Sequence, residues 1–594
     1  MNVIEERIDR LKKLMQLKNL SAYIIPSTDP HASEYVADFW KCREWISGFD
    51  GSAGTIVVTD SEVLLWTDSR YFIQAEEQIK GTSIQLMKQG LIDTPSISTW
   101  IVNHIQPNQM IGIDSLQFSL DAYDELLFKL NTVDIKLIDV DLISELWLDR
   151  PLMPLDPVFS LSEIHAGKSV SDKILLVKEF MDTKDCDILL ITALDDIAWL
   201  LNARGSDVSY NPVFVSYVIV KRDEVVLFVD IRKITPQMMQ YFDSWKVKVV
   251  DYQNVSLYVS SIKSGSVVMV DPSKQNQSLI NYLPPTCSLV KVASPVSKLK
   301  AIKNEIEIAG FRAAMIRDGV ALTRFFKFLD ENDKSLNLTE MSVAEILKDF
   351  RAKQDLFQGE SFGTIAAYAS HGAIGHYSAK PHTNSILREG NLFLLDSGGQ
   401  YLDGTTDITR TISFGIPSLQ QKMDFTLVLK GLIALDSIQF PHGTKGHQLD
   451  VLARKELWNA GINYGHGTGH GVGHFLCVHE GPQGIRADEN PTVLEVGMIL
   501  SNEPGVYREG EYGIRTENLM LVVPSIQTEF ANFLKFETLT LFPIEQGLIQ
   551  WEMLSNEDIN WLESYHEKVF SSLSPFLTVS EQEWLKQKCD INTK

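Results

Sequence analysis

The chain has 594 residues, room for roughly four domains at about 150 residues each, and its 44% hydrophobic and 22% charged residues are the composition of a globular protein with ample core. Its 54 Lys and Arg stand against 77 Asp and Glu, a formal charge of −23 that repels polyphosphates and anionic lipid over long range, so neither nucleic acid nor a membrane is expected as partner. Cys42, Cys186, Cys287, Cys477 and Cys589 form no CxxC pair and are odd in number, which supports neither a disulfide framework nor a thiolate zinc site and points to a reducing compartment.

At the amino terminus, Ile4, Ile8, Leu11 and Met15 recur at helical spacing among charges, which predicts an amphipathic helix rather than a signal peptide. No run approaches the ~18 apolar residues of a membrane span, so a soluble, cytoplasmic protein is expected. SAYIIPSTDPHASEY (21–35) and CDILLITALDDIAWLLNARG (186–205) share an apolar strand, a polar turn and a helical segment. Each is followed by a pair of β-branched runs, 54–72 in the first copy and 213–234 in the second, which predicts two related α/β domains. Pro-rich stretches at 148–157 and 281–287 suit linkers, giving expected domains at 1–155 and 156–297. Beyond them, long helices alternate with Gly- and His-rich strands over 298–545, a third domain. The last segment, 546–594, carries Trp551, Trp561, Tyr565, Phe570, Phe576 and Trp584, mostly at helical intervals, and reads as a helical tail that packs on the third domain or on a second copy in a homodimer.

The chemistry lies in that third domain. In NLFLLDSGGQYLDGTTDITRTISFG an apolar strand ends in Asp396, Asp403 and Gly404 supply a hairpin turn, and a second strand begins near Asp407. Ile408, Ile412 and Phe414 fall on one face of that strand and Asp407, Thr409 and Thr411 on the other, so Asp407 points away from the apolar layer and needs a partner. Downstream, His466, His470, His474 and His479 lie among glycines that allow close backbone approach to a ligand, and Glu503 and Glu517 follow on strand ends. Four carboxylates gathered together cannot all stay bare anions, and shared cations relieve them. Such an oxygen-rich set suits two divalent ions of the harder kind, manganese above zinc, in a hydrolase that activates water.

The ordered motifs LLDSG, GTTDITRT, HGTGHGVGHFLCVHEGP, SNEPG and GIRTEN resemble the pita-bread metallopeptidases, specifically the three-domain aminopeptidase P (Xaa-Pro aminopeptidase) group. SGFDGSAGTIVVT and LLWTDSRYFIQAEEQI in the first domain are similar to the same group, so the resemblance spans nearly the whole chain. It implies two creatinase-type amino-terminal α/β domains, a pita-bread catalytic domain and removal of the first residue from peptides with proline second. Carried over residue by residue, it makes Asp396 the ligand of one metal, His470 and Glu503 ligands of the other, and Asp407 and Glu517 bridges between them. Glu503 is also implied as general base. His376 matches the family histidine near the substrate; His466 and His479 match those that contact peptide and stabilise the tetrahedral intermediate, with His470 lying against the peptide too. Arg70 matches a first-domain arginine that reaches substrate, and Arg515 is expected as partner of a ligand carboxylate. His371, Gly375 and His474 depart from the family pattern, standing where an amide-bearing, an aliphatic and a small or apolar residue are usual. The alternatives are a prolidase, restricted to dipeptides, and a catalytically inactive pita-bread binding module, against which the intact ligand set speaks.

Overall fold

The structure, a computed structural model, describes residues 2–332 and 337–591. The chain divides into two compact units, Met1–Leu161 with Lys168–Ser297, and Ser162–Gly167 with Lys298–Lys594.

The first unit opens with the helix Val3–Leu17, whose buried residues are Ile4, Ile8, Leu11 and Met15, the spacing read from the sequence. Two six-stranded sheets follow. In the first the strands run, in spatial order, Ile84–Lys88, Val63–Thr67, Thr55–Thr59, Ala22–Pro26, Met110–Ile113 and Lys136–Asp139. In the second they run Val247–Val250, Val225–Val229, Ser216–Lys221, Ile188–Ile191, Val267–Val270 and Ser288–Lys291. Each sheet has the same sequence of pairings, parallel, antiparallel, antiparallel, parallel, parallel, so the weak internal similarity reflects a duplicated topology. The copies differ after the first strand. Helix Leu194–Leu200 follows Ile188–Ile191 closely, whereas no helix forms within 21–35, and the first α-helix, Cys42–Ser47, begins later, after a 3-10 turn at Asp38–Trp40. Pro26 and Pro30 disfavour helix before them, and the Asp29 carboxylate accepts the His31 and Ser33 N–H groups in a turn instead. That turn seats the His31 ring against Tyr217 at 4.6 Å, with Nδ1 2.9 Å from the Thr192 carbonyl, so the departure from the repeat joins the two sheets' domains.

In the second unit, helices Glu305–Asn332, Leu419–Asp436 and Asp450–Asn459 pack around a six-stranded sheet in the order Gln439–Pro441, Asn532–Thr538, Asn518–Gln527, Ile499–Asn502, Gly469–Gly471, Glu480–Ile485. A second, antiparallel sheet holds Ile365–Tyr368, Asn391–Ser397 and Ile408–Phe414. The hairpin between the last two is more elaborate than expected: Gly399–Tyr401 and Gly404–Thr405 form a small sheet of their own with Phe357–Glu360, closed by a turn at Leu402 and Asp403. The tail forms helices Asn556–Leu573 and Val579–Cys589, whose Leu562, Tyr565, Val569, Leu573 and Leu585 join Phe311, Leu427 and Ile499 in one core. Among the described residues no helix is long and apolar enough to cross a membrane, and all five cysteines are free thiols.

Candidate metal centre

The six-stranded sheet of the second unit and the sheet of Ile365–Tyr368, Asn391–Ser397 and Ile408–Phe414 bring their acidic ends together. Asp396 lies near the end of Asn391–Ser397 and Asp407 just before Ile408–Phe414; the strands pair so that Asp396 faces Thr409. From the other sheet come His470 on Gly469–Gly471, Glu503 after Ile499–Asn502 and Glu517 before Asn518–Gln527. Main-chain bonds tie these ends. The Glu517 N–H donates to the Thr409 carbonyl at 3.1 Å, and the Glu503 N–H to the Thr468 carbonyl at 2.8 Å. Glycine is required where His470 is presented: a side chain at Gly469 would strike the Ser501 carbonyl, and one at Gly471 the Glu480 carbonyl.

Ligand atoms of Asp407, His470 and Glu517 all lie within 4.8 Å of one another. His470 Nε2 stands 3.5 Å from Asp407 Oδ2 and 3.6 Å from Glu503 Oε1, too long for good hydrogen bonds but near the spacing of two atoms bound to one ion at about 2.1 Å. His470 Nδ1 lies 2.9 Å from the Gly471 carbonyl, to which it donates, so Nε2 is the nitrogen turned to the carboxylates. Asp396 accepts Arg515 Nη2 on Oδ2 at 2.6 Å, while its Oδ1 is buried and accepts no hydrogen bond. A buried oxygen left bare beside three more carboxylates is a position for a cation, and the donor set, oxygen-rich with one imidazole, fits divalent metal.

The proton affinities tell the same story. Burial pushes Glu517 well above the usual carboxylate range, and the charges of Asp407, Glu503 and Asp396 push it further. Burial likewise raises Asp396, against the pull of Arg515. Glu503 is pushed up to about 7 by burial, with His470 and Arg515 opposing and Asp407 and Asp396 adding to the rise. Burial works against a charged His470, but the neighbouring Asp407 and Glu503 carboxylates outweigh it and raise the imidazole to about 9. Without metal, protons on these groups compensate the clustered charge.

The flanking histidines take up different positions. The His479 ring meets that of His470 edge to face, with centroids 4.4 Å apart. His466 Nε2 lies 2.8 Å from the Tyr507 hydroxyl, and its Nδ1 2.7 Å from the Gly467 carbonyl. Arg515 Nη1 donates to the Tyr507 oxygen at 2.6 Å and has no lone pair to accept, so the Tyr507 proton points to His466 Nε2 and His466 carries its own on Nδ1. Asp396, Arg515, Tyr507 and His466 thus form one chain of hydrogen bonds. Arg515 also reaches the Gly375 carbonyl with both terminal nitrogens at 3.4 Å, one residue before His376. His371 lies elsewhere, 2.7 Å from buried Glu340, and His474 is 2% exposed with its ring against Phe311. Arg70, in the other unit, is held by Asp68 through two bonds of 2.8 Å, with Glu34 at 3.6 Å.

Sequence reasoning missed Tyr507, Glu340 and Arg410. Tyr507 had a signal: it alternates with buried Val506 on a strand leaving the Glu503 turn. Glu340 and Arg410 had none, since their partners lie far off in sequence.

Comparison with known proteins follows these features. Residues 309–524 match the model of metallopeptidase family M24, 532–591 that of the C-terminal region of peptidase M24, and 7–146 and 149–307 models of the creatinase/prolidase N-terminal domain. The Xaa-Pro aminopeptidase ApepP of Drosophila melanogaster is 41% identical over 96% of this chain and 95% of its own length. Aminopeptidase P2 of Arabidopsis thaliana is 40% identical over 98% of this chain and 88% of its own. The solved X-prolyl aminopeptidase of Caenorhabditis elegans, described as a cytosolic enzyme with a di-nuclear active site, superposes with a TM-score of 0.96 at 35% identity, each chain covered in full.

Proposed function

The chain belongs to metallopeptidase family M24, two creatinase-type domains preceding a pita-bread catalytic domain and a helical tail, and we propose that it is an Xaa-Pro aminopeptidase releasing the first residue of peptides with proline second. The observation that carries this is the convergence of Asp407, His470 and Glu517 beside the bare Oδ1 of Asp396, inside a chain that aligns end to end with such enzymes. We assign two divalent ions, manganese by the oxygen-rich donor set, to Asp396, Asp407, His470, Glu503 and Glu517. Bound there, they supply Lewis acidity for the scissile carbonyl and a water acidic enough to attack near neutral pH.

The residues supply the rest. Glu503 takes the proton of the attacking water and passes it toward the leaving proline nitrogen. That nitrogen belongs to a tertiary amide without N–H, which general peptidases cannot seat as an extended strand. His479 donates to the oxyanion, and His466, with Nε2 on the Tyr507 hydroxyl and Nδ1 on the Gly467 carbonyl, contacts the peptide through its ring. His376 contacts the substrate from a loop anchored by Arg515 through the Gly375 carbonyl. Arg70 is assigned to peptide binding on the resemblance of WTDSRYF alone. Domain limits of 1–155, 156–297, 298–545 and 546–594, a cytosolic location and a homodimer belong to the same reading; the worm relative's cytosolic description and the five free thiols support the location.

The manganese-loaded chain assayed on Xaa-Pro dipeptides, longer Xaa-Pro peptides and matched Xaa-Ala peptides should cleave both Xaa-Pro classes and spare Xaa-Ala. Cleavage of dipeptides alone would make it a prolidase. No cleavage with both ions bound would make it a binding module.

A further inference from the structure

We propose that the carboxy-terminal helical segment is a working part of the metal centre, with Tyr565 and Arg410 as positioning residues that set the main chain of the bridging carboxylates Asp407 and Glu517. The inference rests on the ligand assignment above.

Arg410 stands three residues after Asp407 and is 3% exposed. Its guanidinium is buried among neutral oxygens. Nη1 donates to the Glu517 carbonyl at 2.6 Å and to the Thr409 carbonyl at 2.9 Å; Nη2 donates to the Phe542 carbonyl at 2.7 Å and to Asn518 Oδ1 and the Tyr565 hydroxyl at 2.9 Å each; Nε donates to the Pro543 carbonyl at 3.0 Å. Among the described residues no carboxylate oxygen accepts from it. A buried charge satisfied only by neutral acceptors is a poor source of stability, but a planar fork of five donors is a strict geometric template. Here the template spans the main chain on both sides of the bridge: Thr409, two residues from Asp407, and Glu517 itself. The same two strands are joined again at the side-chain level, where Thr409 Oγ1 donates to Glu517 Oε2 at 2.7 Å.

The outer end of the fork is held by the tail. Tyr565, on helix Asn556–Leu573, accepts Arg410 Nη2, and its own proton has the Phe542 carbonyl at 2.9 Å and the Thr540 carbonyl at 3.1 Å. Trp561 stacks on its ring at 5.2 Å and 10°, and the next residue, His566, accepts the Ile544 N–H at 3.1 Å. The tail therefore grips 540–544, the stretch whose carbonyls fix Arg410, and places a hydroxyl on the guanidinium. Packing alone would be met by phenylalanine at this position. The hydroxyl adds the bond to Arg410 and contacts with Phe542, Thr540 and Asn518 Oδ1, the last on the residue next to Glu517. Partners bonded directly to metal ligands typically tune metal affinity ten- to a hundredfold, and a positioning residue one step out is set at the lower end of that range.

The test uses the full-length chain and Mn²⁺ as probe. Tyr565→Phe keeps the ring and its stack, and Mn²⁺ titration by calorimetry should show about tenfold weaker binding of at least one ion, while the metal-free chain melts at close to the parental temperature. Val569→Ala, one turn further along the helix, trims the same packing without touching Tyr565 and should do the reverse, lowering the melting temperature with parental Mn²⁺ affinity. Parental affinity for both ions in Tyr565→Phe, or an equal loss in both variants, overturns the proposal. If Tyr565→Phe does not fold, Arg410→Lys, which keeps the charge and loses the fork, must show the weakened binding. Asp407→Ala separates the premise from the inference: retention of both ions there refutes the ligand assignment, whereas their loss beside an unaffected Tyr565→Phe refutes only the coupling.

Discussion

A buried carboxylate ordinarily needs a cation or several donors. Glu340 is fully buried and takes donors: Oε1 accepts the Tyr368 N–H at 2.8 Å and His371 Nδ1 at 2.7 Å, and Oε2 accepts the Ser385 N–H at 2.8 Å and the Tyr377 hydroxyl at 3.0 Å. These donors bracket the loop that carries His376. In Glu340→Gln an amide NH₂ must face one of the main-chain N–H donors, leaving buried donors unpaired at a cost of about 1–3 kcal/mol. Steady-state kinetics should show raised KM and lowered kcat with two ions still bound by elemental analysis; parental values of both would mean that the loop does not depend on Glu340. The contrast with the candidate metal ligands is physical. Asp396, Asp407, His470, Glu503 and Glu517 were legible as candidates because each sits in a short motif with its own turn or glycine signature. Glu340, Tyr507 and Arg410 act on partners brought near only by folding, with Tyr565 lying 155 positions from Arg410.

At the scale of elements, His566 gives the two tail helices a buried titratable contact with the rest of their unit. Burial, opposed by the Cys589 carbonyl and aided by the Arg410 charge, lowers His566 to about 4. Neutral His566 donates from Nδ1 to that carbonyl at 3.0 Å and accepts the Ile544 N–H on Nε2, a bond that protonation abolishes. With the folded value below the unfolded one near 6.5, the unfolded chain binds the extra proton first, so stability present above about 6.5 is lost as pH falls toward 4, on the order of 3 kcal/mol at most. Hydrogen exchange of the Asn556–Leu573 and Val579–Cys589 amides in the metal-free chain, corrected for intrinsic rate, should lose protection across that window. His566→Gln should start lower at pH 7 and lose less protection as pH falls; equal slopes in the two proteins would contradict this. The tail helices and the amino-terminal helix were legible from apolar spacing, because one face of each meets a core. The helix expected within 21–35 was not there, because Pro26, Pro30 and the Asp29 turn override the apolar pattern, and the hydrogen bonds that decide this reach Thr192 in the second domain.

For the whole molecule, the duplicated sheets were legible from two β-branched strand pairs, whereas the shared spatial order of all six strands needed the fold itself. The metal centre sets a second pH dependence, opposite in sign to that of His566. Burial holds folded Glu503 near 7, above the ordinary carboxylate value near 4.5, so in the metal-free chain its contribution is present below about 4.5 and lost as pH rises through 7. Bound cations remove that loss. The rise in melting temperature on adding Mn²⁺ should therefore grow from pH 5 to pH 7, and His566, present in both samples, cancels in the difference. An increment that stays constant or shrinks would mean that the clustered carboxylates do not share the ions.

The central claim is a hydrolytic centre in which Glu503 both holds metal and moves the proton. Glutamine at 503 keeps the size and one coordinating oxygen but is far too weak a base. The deciding measurement is single-substrate turnover of an Xaa-Pro peptide by Glu503→Gln, with two bound ions verified in the same sample. The account predicts that kcat falls by at least about two orders of magnitude. Turnover near the parental rate with both ions in place would contradict it and give the proton transfer to another group.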